Sequence, residues 1–258
     1  LALDGDRLFS AGEGTVSRQS ADGGLIWQAA GDARPQQLLV GPAALYASGW
    51  GAPRQSGWIP LNPDPAGGGA PEGPVGSVLL YDPESGGVRA RIDGLDRPSG
   101  LALNGAGLWI AETGGQRLLL ADPSSGQIVR QLELEDAPYV LRATERGVYA
   151  TLPGANRVIF VENSGFVGWQ ADLDGLGLPQ DIALDRQSNR LYVLYLLAPR
   201  FGQVAVLDAG SGERLATIEP TLSRPLQGAQ ALAVDPASGR LLVSTILGVE
   251  QFALSDLQ

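Results

Sequence analysis

Four residue types are missing from this 258-residue chain: histidine, cysteine and methionine are absent, and all 18 basic residues are arginine, so lysine is absent too. Without histidine there is no imidazole base and no serine–histidine or cysteine–histidine catalytic pair. Without cysteine there is no thiolate nucleophile, disulfide, iron–sulfur cluster or cysteine-bound zinc, and without lysine there is no Schiff base. The chemistry that remains is acid–base catalysis by aspartate and glutamate, or a hard cation such as Ca²⁺ held by oxygen ligands.

Positive charge and long apolar runs are also scarce. The net charge of −10 argues against a phosphate-neutralising surface, so we expect no nucleic-acid partner. No apolar run approaches the ~20 residues of a membrane span, so the chain is not expected to span a membrane. The sequence begins at Leu1 rather than at methionine, from which we expect that an N-terminal piece such as a signal peptide has been removed or left out. The predicted location is therefore extracytoplasmic: secreted, periplasmic or at the cell surface.

Glycine and proline are abundant, with 36 and 18 residues, while the hydrophobic fraction of 44% is ordinary. This combination predicts many tight turns between short strands rather than disorder. The chain also repeats itself: an apolar strand, a polar turn and a second apolar strand recur along its length. Five copies begin at Arg34, Arg97, Ala137, Leu178 and Ala229, and a sixth, without its lead-in, opens the chain at Leu1.

A second pair of strands follows most of these copies. The turn inside this second pair reads Asp-Pro-Glu-Ser-Gly, Asp-Pro-Ser-Ser-Gly, Glu-Asn-Ser-Gly or Asp-Ala-Gly-Ser-Gly. Asp at the start of a turn caps it by side-chain hydrogen bonding, Pro presets φ, and Gly supplies a positive φ near the end. The pattern therefore predicts β-hairpins, which begin at Gly76, Gln116, Asn156 and Gly202.

The spacing of the repeat identifies the architecture. The prolines that open successive copies are separated by 40 residues from Pro98 to Pro138, by 41 from there to Pro179, and by 46 from there to Pro225. A unit of ~40 to 50 residues with four strands is typical of a propeller blade. We therefore predict an all-β fold, a β-propeller of about six four-stranded blades that forms a single domain over residues 1–258. The last copy reaches its third strand but lacks the fourth, and a longer natural chain would allow a seventh blade.

One blade carries an insertion. The interval from Pro35 to Pro98 is 63 residues, and the excess falls in Gly49–Gly76, a Gly/Pro-rich stretch that holds Trp50 and Trp58. This stretch is interpreted as an inserted loop inside one blade rather than as a domain linker.

Several segments resemble the NHL and YVTN-type propeller superfamily, and the resemblance covers essentially the whole chain. IAETGGQRL, from Ile110, resembles the "ADTGNxRI" core of an NHL repeat, and ATLPGANRV, from Ala150, is a weaker version. RPSGLAL and LPQDIAL resemble the NHL lead-in "P-x-G-I-A-V-D", and YDPESGGVRARI resembles the YVTN "D-x-x-T-G-x-V". The resemblance implies the propeller fold but leaves function open, because such propellers serve as scaffolds, lyases, lactonases and dehydrogenase subunits.

The enzymes of this superfamily can be compared with the chain. Streptogramin-lyase-like propellers use an essential histidine, which excludes that activity here. Gluconolactonase-type propellers bind a divalent cation through Glu, Asn and Asp, and quinone-dependent ones need a stacking Trp and a cation cluster that this sequence does not reveal. Asp181 is a weak metal-ligand candidate, because a single carboxylate makes a poor Ca²⁺ or Mg²⁺ site, and no cofactor is expected. It is the one carboxylate among the strand-a lead-in residues Gln37, Ser99, Tyr139, Asp181 and Gln230.

In a propeller, strand a lines the channel, and the d–a and b–c loops share one face, which is the predicted ligand or partner surface. Within the insertion, Trp50, Trp58 and the intervening Arg54 could form an aromatic contact of the kind enriched in binding hot spots, or could fold back to cover the channel mouth. The full set of candidate binding residues on this face is Trp50, Arg54, Trp58, Gln37, Tyr139, Asp181, Glu112, Arg117, Asn156 and Arg200.

Two polar pairs recur at matching blade positions, Glu112 with Arg117 and Asn156 with Arg157. They could form a polar ring around a ligand, but a repeated hydrogen bond or ion pair that locks the blades is the favoured interpretation. Large aromatic residues at the equivalent strand-b position are expected to pack in the core between blades, namely Trp109, Tyr149 and Tyr192.

The function predicted from these residues is a non-enzymatic propeller that binds a protein partner, as a subunit or surface scaffold of a larger extracytoplasmic assembly. The acidic net charge favours a partner with a basic surface. Two alternatives remain open. One is a divalent-metal-dependent lactonase or hydrolase of the gluconolactonase type that works through Asp181 and neighbouring channel carboxylates. The other is a small-molecule or glycan-binding propeller that uses the Trp-containing loop.

Overall fold

The structure is a computed structural model that describes residues 1–5, 7–12, 14–32, 34–50, 76–173, 177–197, 201–219 and 226–257. Most of the predicted insertion, with Arg54 and Trp58, lies outside the described residues, and so does Arg200. The described chain divides into two compact units, Leu1–Ala137 and Pro138–Gln258.

The first unit contains three four-stranded sheets, and each sheet is an antiparallel meander in which consecutive strands are neighbours. We name the sheets blades 1 to 3 and the strands of each blade a to d in chain order. Blade 1 is β1 (Ala2–Asp4), β2 (Arg7–Gly12), β3 (Thr15–Gln19) and β4 (Leu25–Ala30). Blade 2 is β5 (Pro35–Val40), β6 (Leu45–Trp50), β7 (Gly76–Tyr81) and β8 (Val88–Leu95). Blade 3 is β9 (Pro98–Asn104), β10 (Gly107–Glu112), β11 (Arg117–Ala121) and β12 (Ile128–Glu133).

The second unit contains blades 4 to 6, of which the last has three strands among the described residues. Blade 4 is β13 (Leu141–Ala143), β14 (Gly147–Leu152), β15 (Arg157–Glu162) and β16 (Val167–Asp172). Blade 5 is β17 (Leu178–Asp185), β18 (Arg190–Leu197), β19 (Phe201–Asp208) and β20 (Arg214–Ile218). Blade 6 is β21 (Ala231–Asp235), β22 (Arg240–Thr245) and β23 (Gly248–Ala253), followed by a 3₁₀ helix, Leu254–Leu257.

The six blades correspond to the six copies of the sequence repeat, which confirms the predicted all-β class and blade count. The fourth strand that the sequence lacks in its last copy is also missing from the described part of blade 6. No described helix is both long and apolar enough to cross a membrane. The assignment of residues 1–258 to a single domain stays a prediction.

The hydrophobic cores lie between neighbouring blades rather than inside any one of them. Strands b and c of blades 2, 3 and 4 are buried on both faces along nearly their whole length. Phe9 and Val16 of blade 1 pack in one cluster with Leu45 and Tyr81 of blade 2. A sheet that is buried on both faces needs apolar neighbours, so within each unit a blade depends on the blade beside it.

The c–d turns have the structure that their sequences predict. In blades 2, 3 and 5 the first residue of the turn is Asp82, Asp122 or Asp208, and its Oδ1 accepts the backbone amides two and three residues further on, at 2.7 to 3.0 Å. The Ser85 amide and the Arg89 guanidinium lower the pKa of Asp82 to about 2. Amides of the turn likewise lower the pKa of the other two carboxyls.

Each of these turns is also a docking point for the preceding blade of the same unit. The indole Nε1 of Trp27 in blade 1 donates to the carbonyl of Pro83 at 3.1 Å, and Trp169 in blade 4 donates to the equivalent Ala209 at 3.2 Å. The Tyr149 hydroxyl donates to the same Ala209 carbonyl at 2.8 Å. An aromatic side chain of one blade is therefore hydrogen-bonded to the c–d turn of the next, and where that side chain is Trp we call the contact the Trp latch.

The predicted packing role of the strand-b aromatic residues is confirmed. Trp109, Tyr149 and Tyr192 are 1%, 4% and 0% exposed. Tyr46 occupies the same position in blade 2 and donates its hydroxyl to the Pro123 carbonyl in the next turn at 3.1 Å.

The lowered pKa values of the turn carboxyls predict a loss of stability in acid. A carboxyl whose pKa is lower in the folded than in the unfolded chain stabilises the fold above the unfolded value of about 3.9, and this contribution disappears as the pH falls through the folded value. We expect the free energy of unfolding to decrease between about pH 4 and pH 2. In the triple variant Asp82→Asn, Asp122→Asn and Asp208→Asn, each side chain keeps an oxygen that can accept the backbone amides but does not titrate. The urea midpoint of this variant should therefore vary less over this pH range. An equal acid sensitivity of both proteins would contradict the assignment.

The Trp latch requires glycine at the end of the turn. Gly212 has φ +77, and a Cβ at this position would lie 2.6 Å from the Trp169 ring. Gly239 has φ +64 with no atom within 4 Å of a Cβ, so it serves as a matched control for backbone strain alone. Gly239→Ala should cost about 1 kcal/mol of unfolding free energy and Gly212→Ala about 2 kcal/mol more, measured by urea denaturation. Equal losses would show that the ring contact is not restrictive.

Candidate functional site

The d–a connections and b–c loops lie together at one end of blades 2 and 3. The Trp50 amide, at the end of strand b, donates to the carbonyl of Arg34 in the d–a connection at 3.2 Å. In blade 3 the amides of Thr113 and Gly114 donate to the carbonyls of Arg97 and Asp96 at 3.2 and 3.0 Å. Blades 2 and 3 thus each have two connected loops at the same end, which we call the loop end.

Trp50 marks the base of the predicted insertion. It pairs with Gly76 across β6 and β7, so the chain leaves and re-enters the sheet at adjacent points. The Arg34 guanidinium lies over the half-buried Trp50 ring, 5.3 Å from its centroid, a cation–π geometry. A Cβ at Gly76 would lie 2.3 Å from Pro98 Cδ, so the insertion joins the sheet against the lead-in of blade 3.

A second polar group at this end was not predicted. The fully buried Ser77 hydroxyl donates to the Asp32 carboxylate, and Arg91 Nη2 lies 3.3 Å from the other oxygen of Asp32. These contacts join strands c and d of blade 2 to the connection from blade 1. The three residues carry no family motif, and their association depends on chain segments that are far apart in sequence.

Gln37 and Asp181, two predicted site residues, occupy equivalent positions in strand a. Each follows a β-bulge after an opening proline, at Pro35 and at Pro179. The Gln37 side chain accepts the Leu101 amide at 2.7 Å and donates to the Leu101 carbonyl at 3.1 Å. These bonds connect strand a of blade 2 to strand a of blade 3.

Asp181 makes the same connection between blades 5 and 6. Its Oδ2 accepts the Leu232 amide at 2.8 Å, and its Oδ1 accepts the Ile182 amide at 2.9 Å. The Arg142 guanidinium of blade 4 donates to Oδ1 at 2.8 Å. The buried carboxylate therefore joins strand a of three blades, and burial raises its pKa although Arg142 opposes the shift.

Tyr139 lies in the same neighbourhood. It is half buried, and its amide donates to the Thr151 carbonyl at 3.0 Å. Burial raises the pKa of its phenol, and the negative charge of Asp181 raises it further. The structure therefore brings Tyr139 and Asp181 together with Arg142, which sequence reasoning missed. An arginine within the short strand Leu141–Ala143 was the available signal.

The surroundings of Asp181 do not resemble a metal site. Both of its oxygens accept hydrogen bonds from the protein. Within the described ranges there is no group of three or more His, Cys, Asp or Glu side chains that could hold a metal ion. Asp181 therefore connects neighbouring strands through hydrogen bonds. A single carboxylate supplies far fewer than the six or more oxygen ligands that Ca²⁺ needs.

Glu112 and Arg117 form an ion pair inside blade 3. Glu112 is 0% exposed, its Oε2 accepts from Arg117 Nε, and its Oε1 accepts the Asp96 amide at 2.8 Å. A Cβ at Gly115 would lie 2.4 Å from Oε2, so the b–c loop packs directly on the carboxylate. The pair holds the loop against the d–a connection, and a role for it in binding stays a prediction.

Asn156 has an equivalent structural role in blade 4. It adopts φ +49, and its side-chain nitrogen donates to the carbonyls of Pro153 and Gly177 at 3.3 and 3.2 Å. Arg157 donates to Asp172 at 2.6 Å. The favoured interpretation of these pairs as locks agrees with the geometry, although the contacts fasten loops within a blade and its connection rather than one blade to another.

Comparisons with known proteins show the fold. No family model matches the chain, and no curated protein matches it, so the NHL and YVTN resemblance stays a prediction. Among solved structures, the chain is similar to the Pan2 WD40 domain of Neurospora crassa, with TM-score 0.71, 12% identity, and 98% of this chain and 73% of that one covered. Sqt1 of Saccharomyces cerevisiae has a TM-score of 0.67 and 13% identity, and the match covers 98% of this chain and 69% of Sqt1. The computationally designed Ika8 protein has a TM-score of 0.65 and 13% identity, and the match covers 98% of this chain and 69% of Ika8.

WD40 repeats form β-propellers, so these likenesses show that the chain has the β-propeller fold. Identities of 12% and 13% carry no information on function.

The Arg142–Asp181 contact can be tested by a double-mutant cycle. Asp181→Ala leaves the Leu232 amide and the guanidinium without their acceptor and should cost about 3 kcal/mol of unfolding free energy. After Arg142→Ala, the same change should cost about 1 kcal/mol less, because the charged partner is already gone. Urea denaturation of the four proteins gives the coupling. Strictly additive losses would show that the pair does not contribute as a unit.

Proposed function

We propose that this chain is a non-enzymatic β-propeller that binds a protein partner through the loop end of blades 2 and 3, as a subunit or surface scaffold of a larger extracytoplasmic assembly. The observation that carries the proposal is the half-buried Trp50 ring, which lies beneath the Arg34 guanidinium at the base of the insertion. Trp and Arg are among the residue types enriched in binding hot spots.

The pairing of these two side chains favours a protein contact. A cation held over an indole restricts both side chains before a partner arrives, which lowers the entropy lost on binding. Residues 51–75 follow Trp50 in the sequence, and loops of that length in compact domains are often functional. The same end of blade 2 carries the Asp32–Ser77–Arg91 contacts, which give the base of the insertion a fixed framework.

The other polar residues near the loop ends support a scaffold rather than an enzyme. Gln37, Glu112 and Asp181 accept hydrogen bonds from the backbone of their own or the next blade, so their side chains hold the fold together. The chain has no histidine, cysteine or lysine. Catalysis at this surface would therefore depend on carboxylates, and those of Glu112 and Asp181 are engaged in structural contacts.

The charge of the chain suggests the character of the partner. With 28 acidic and 18 basic residues, long-range attraction favours a partner with a basic surface. We extend the proposal to an extracytoplasmic location.

Site-specific photo-crosslinking tests the proposal in the source cells. A variant Trp50→benzoylphenylalanine keeps an aromatic ring at the base of the insertion and should form a discrete crosslinked species with one protein. Adding Arg34→Ala should reduce its yield, because the ring loses its cation. The matched control places the same photoreactive residue at Ser124, an exposed position in the c–d turn at the opposite end of blade 3. Equal crosslinking from both positions, or a glycan in place of a protein, would overturn the proposal.

A further inference from the structure

The a–b hairpin of blade 3 contains Asn104 followed by Gly105, the one Asn-Gly pair in the sequence. Gly105 and Ala106 form the turn, and Asn104 pairs with Gly107 across it. Both turn residues are exposed, and Asn104 is half buried. Solvent therefore reaches the main chain of this turn.

The side chain of Asn104 is held against the turn. Its Oδ1 accepts the Ala106 amide at 2.9 Å. A side-chain oxygen that bonds the amide two residues further on folds back along the main chain, as in an Asx turn. The carbon Cγ that carries this oxygen therefore lies beside the main chain of the residue in between, Gly105. The same hydrogen bond draws electron density away from Cγ, which makes the carbon more open to attack.

The main-chain nitrogen of Gly105 is the second reactive group. It donates no hydrogen bond to any residue that the structure describes. A Cβ added at Gly105 would have no atom within 4 Å, so nothing crowds the nitrogen. Because glycine has no side chain, this part of the main chain can rotate easily towards the conformation that ring closure requires.

The other described asparagines are in different surroundings. Each of them is followed by a residue with a side chain, whereas Asn104 is followed by glycine. The side-chain nitrogen of Asn163 donates to the Glu145 carbonyl at 2.7 Å, and that of Asn189 donates to Asp208 Oδ2 at 3.1 Å. These two side chains are thus attached to a different turn from their own.

We propose that Asn104 is a site of spontaneous deamidation. The Gly105 nitrogen gives up its proton to the solvent and attacks Cγ of Asn104. The new bond between this nitrogen and Cγ forms as the bond from Cγ to Nδ2 breaks, and Nδ2 takes up a proton and leaves as ammonia. A cyclic succinimide remains, and water is the only further reactant.

Hydrolysis of the succinimide gives two products. If water opens the ring at Cγ, position 104 becomes aspartate, which keeps an oxygen for the Ala106 amide and adds one negative charge. If water opens the ring at the main-chain carbonyl carbon of position 104, the product is isoaspartate, in which the main chain runs through Cβ and is one carbon longer.

The two products should differ in their effect on the fold. A turn of only two residues has no slack for an additional main-chain carbon, so isoaspartate cannot keep the pairing with Gly107. The neighbouring Leu103 packs on the core cluster that blades 2 and 3 share, and its Cδ2 would lie 2.8 Å from a Cβ at Gly41 of blade 2. Isoaspartate should therefore weaken the packing between these two blades, whereas aspartate should not.

Peptide mapping by mass spectrometry tests the site on the purified full-length chain during incubation in mildly alkaline buffer. Deamidation should appear first in the peptide that contains Asn104, as two products of equal mass, and its rate should increase with pH because the attacking nitrogen must lose a proton. The free peptide Leu-Ala-Leu-Asn-Gly-Ala-Gly, residues 101–107, gives the reference rate. The rate in the folded chain should lie within about tenfold of it, a difference in barrier of about 1.4 kcal/mol.

Two variants separate the chemistry from a general change in the fold. Gly105→Ala introduces a Cβ that contacts nothing, and Gly105 does not have a positive φ, so the variant should keep the urea midpoint of the unaltered chain. It should nevertheless deamidate at least about tenfold more slowly, because the Cβ hinders ring closure. Asn104→Asp reproduces the aspartate product and should also keep the midpoint, whereas the isoaspartate fraction isolated from the incubated chain should unfold at lower urea.

Four results would overturn the proposal. The first is a rate in the folded chain more than about tenfold below that of the free peptide. The second is an equal rate in Gly105→Ala, and the third is earlier modification at Asn163. The fourth is an equal urea midpoint for the isoaspartate fraction and Asn104→Asp, which would remove the proposed effect on the blades. None of these results bears on crosslinking at Trp50, so the two proposals can fail independently.

Discussion

Burial of the inner strands on both faces is the constraint on which this structure depends. The middle strands of blade 3, Gly107–Glu112 and Arg117–Ala121, expose almost nothing on either side. If such a sheet stood alone in water, both of its apolar faces would be exposed, which is strongly unfavourable. Within each unit, neighbouring blades therefore cover each other, and the stability of the fold depends on the contacts between them.

Two kinds of polar contact reinforce that burial. At the turn end, an aromatic donor such as Trp169 bonds a carbonyl of the next blade's c–d turn. In strand a, Gln37 and Asp181 bond the backbone of the next blade's inner strand. Since a buried polar group is costly unless it is paired, these side chains are committed to the fold. The binding surface proposed above, at the base of the insertion around Trp50, is not occupied by these contacts.

The sequence predicted whatever is encoded locally. Hairpins with Asp at the first position and Gly at the last follow from the conformational preferences of residues four apart, and the blade count follows from the spacing of the repeat. The strand-a ties could not be predicted in this way. Gln37 meets Leu101, and Asp181 meets Leu232, 64 and 51 residues later in the chain. Their partners are backbone atoms, which leave no trace in side-chain identity, so the sequence predicted Gln37 and Asp181 as candidate site residues but did not predict these contacts. The 59% exposure of Val249 could not be predicted from the sequence either, because it depends on which strands pack beside β23.

Native-state hydrogen exchange tests most directly whether the blades are mutually dependent. If each blade needs its neighbours, the amides of the buried strands within one unit, such as β6 and β10, should exchange with one common free energy of opening. A separate and lower free energy for each blade would show that the blades are independently stable, and would contradict this account.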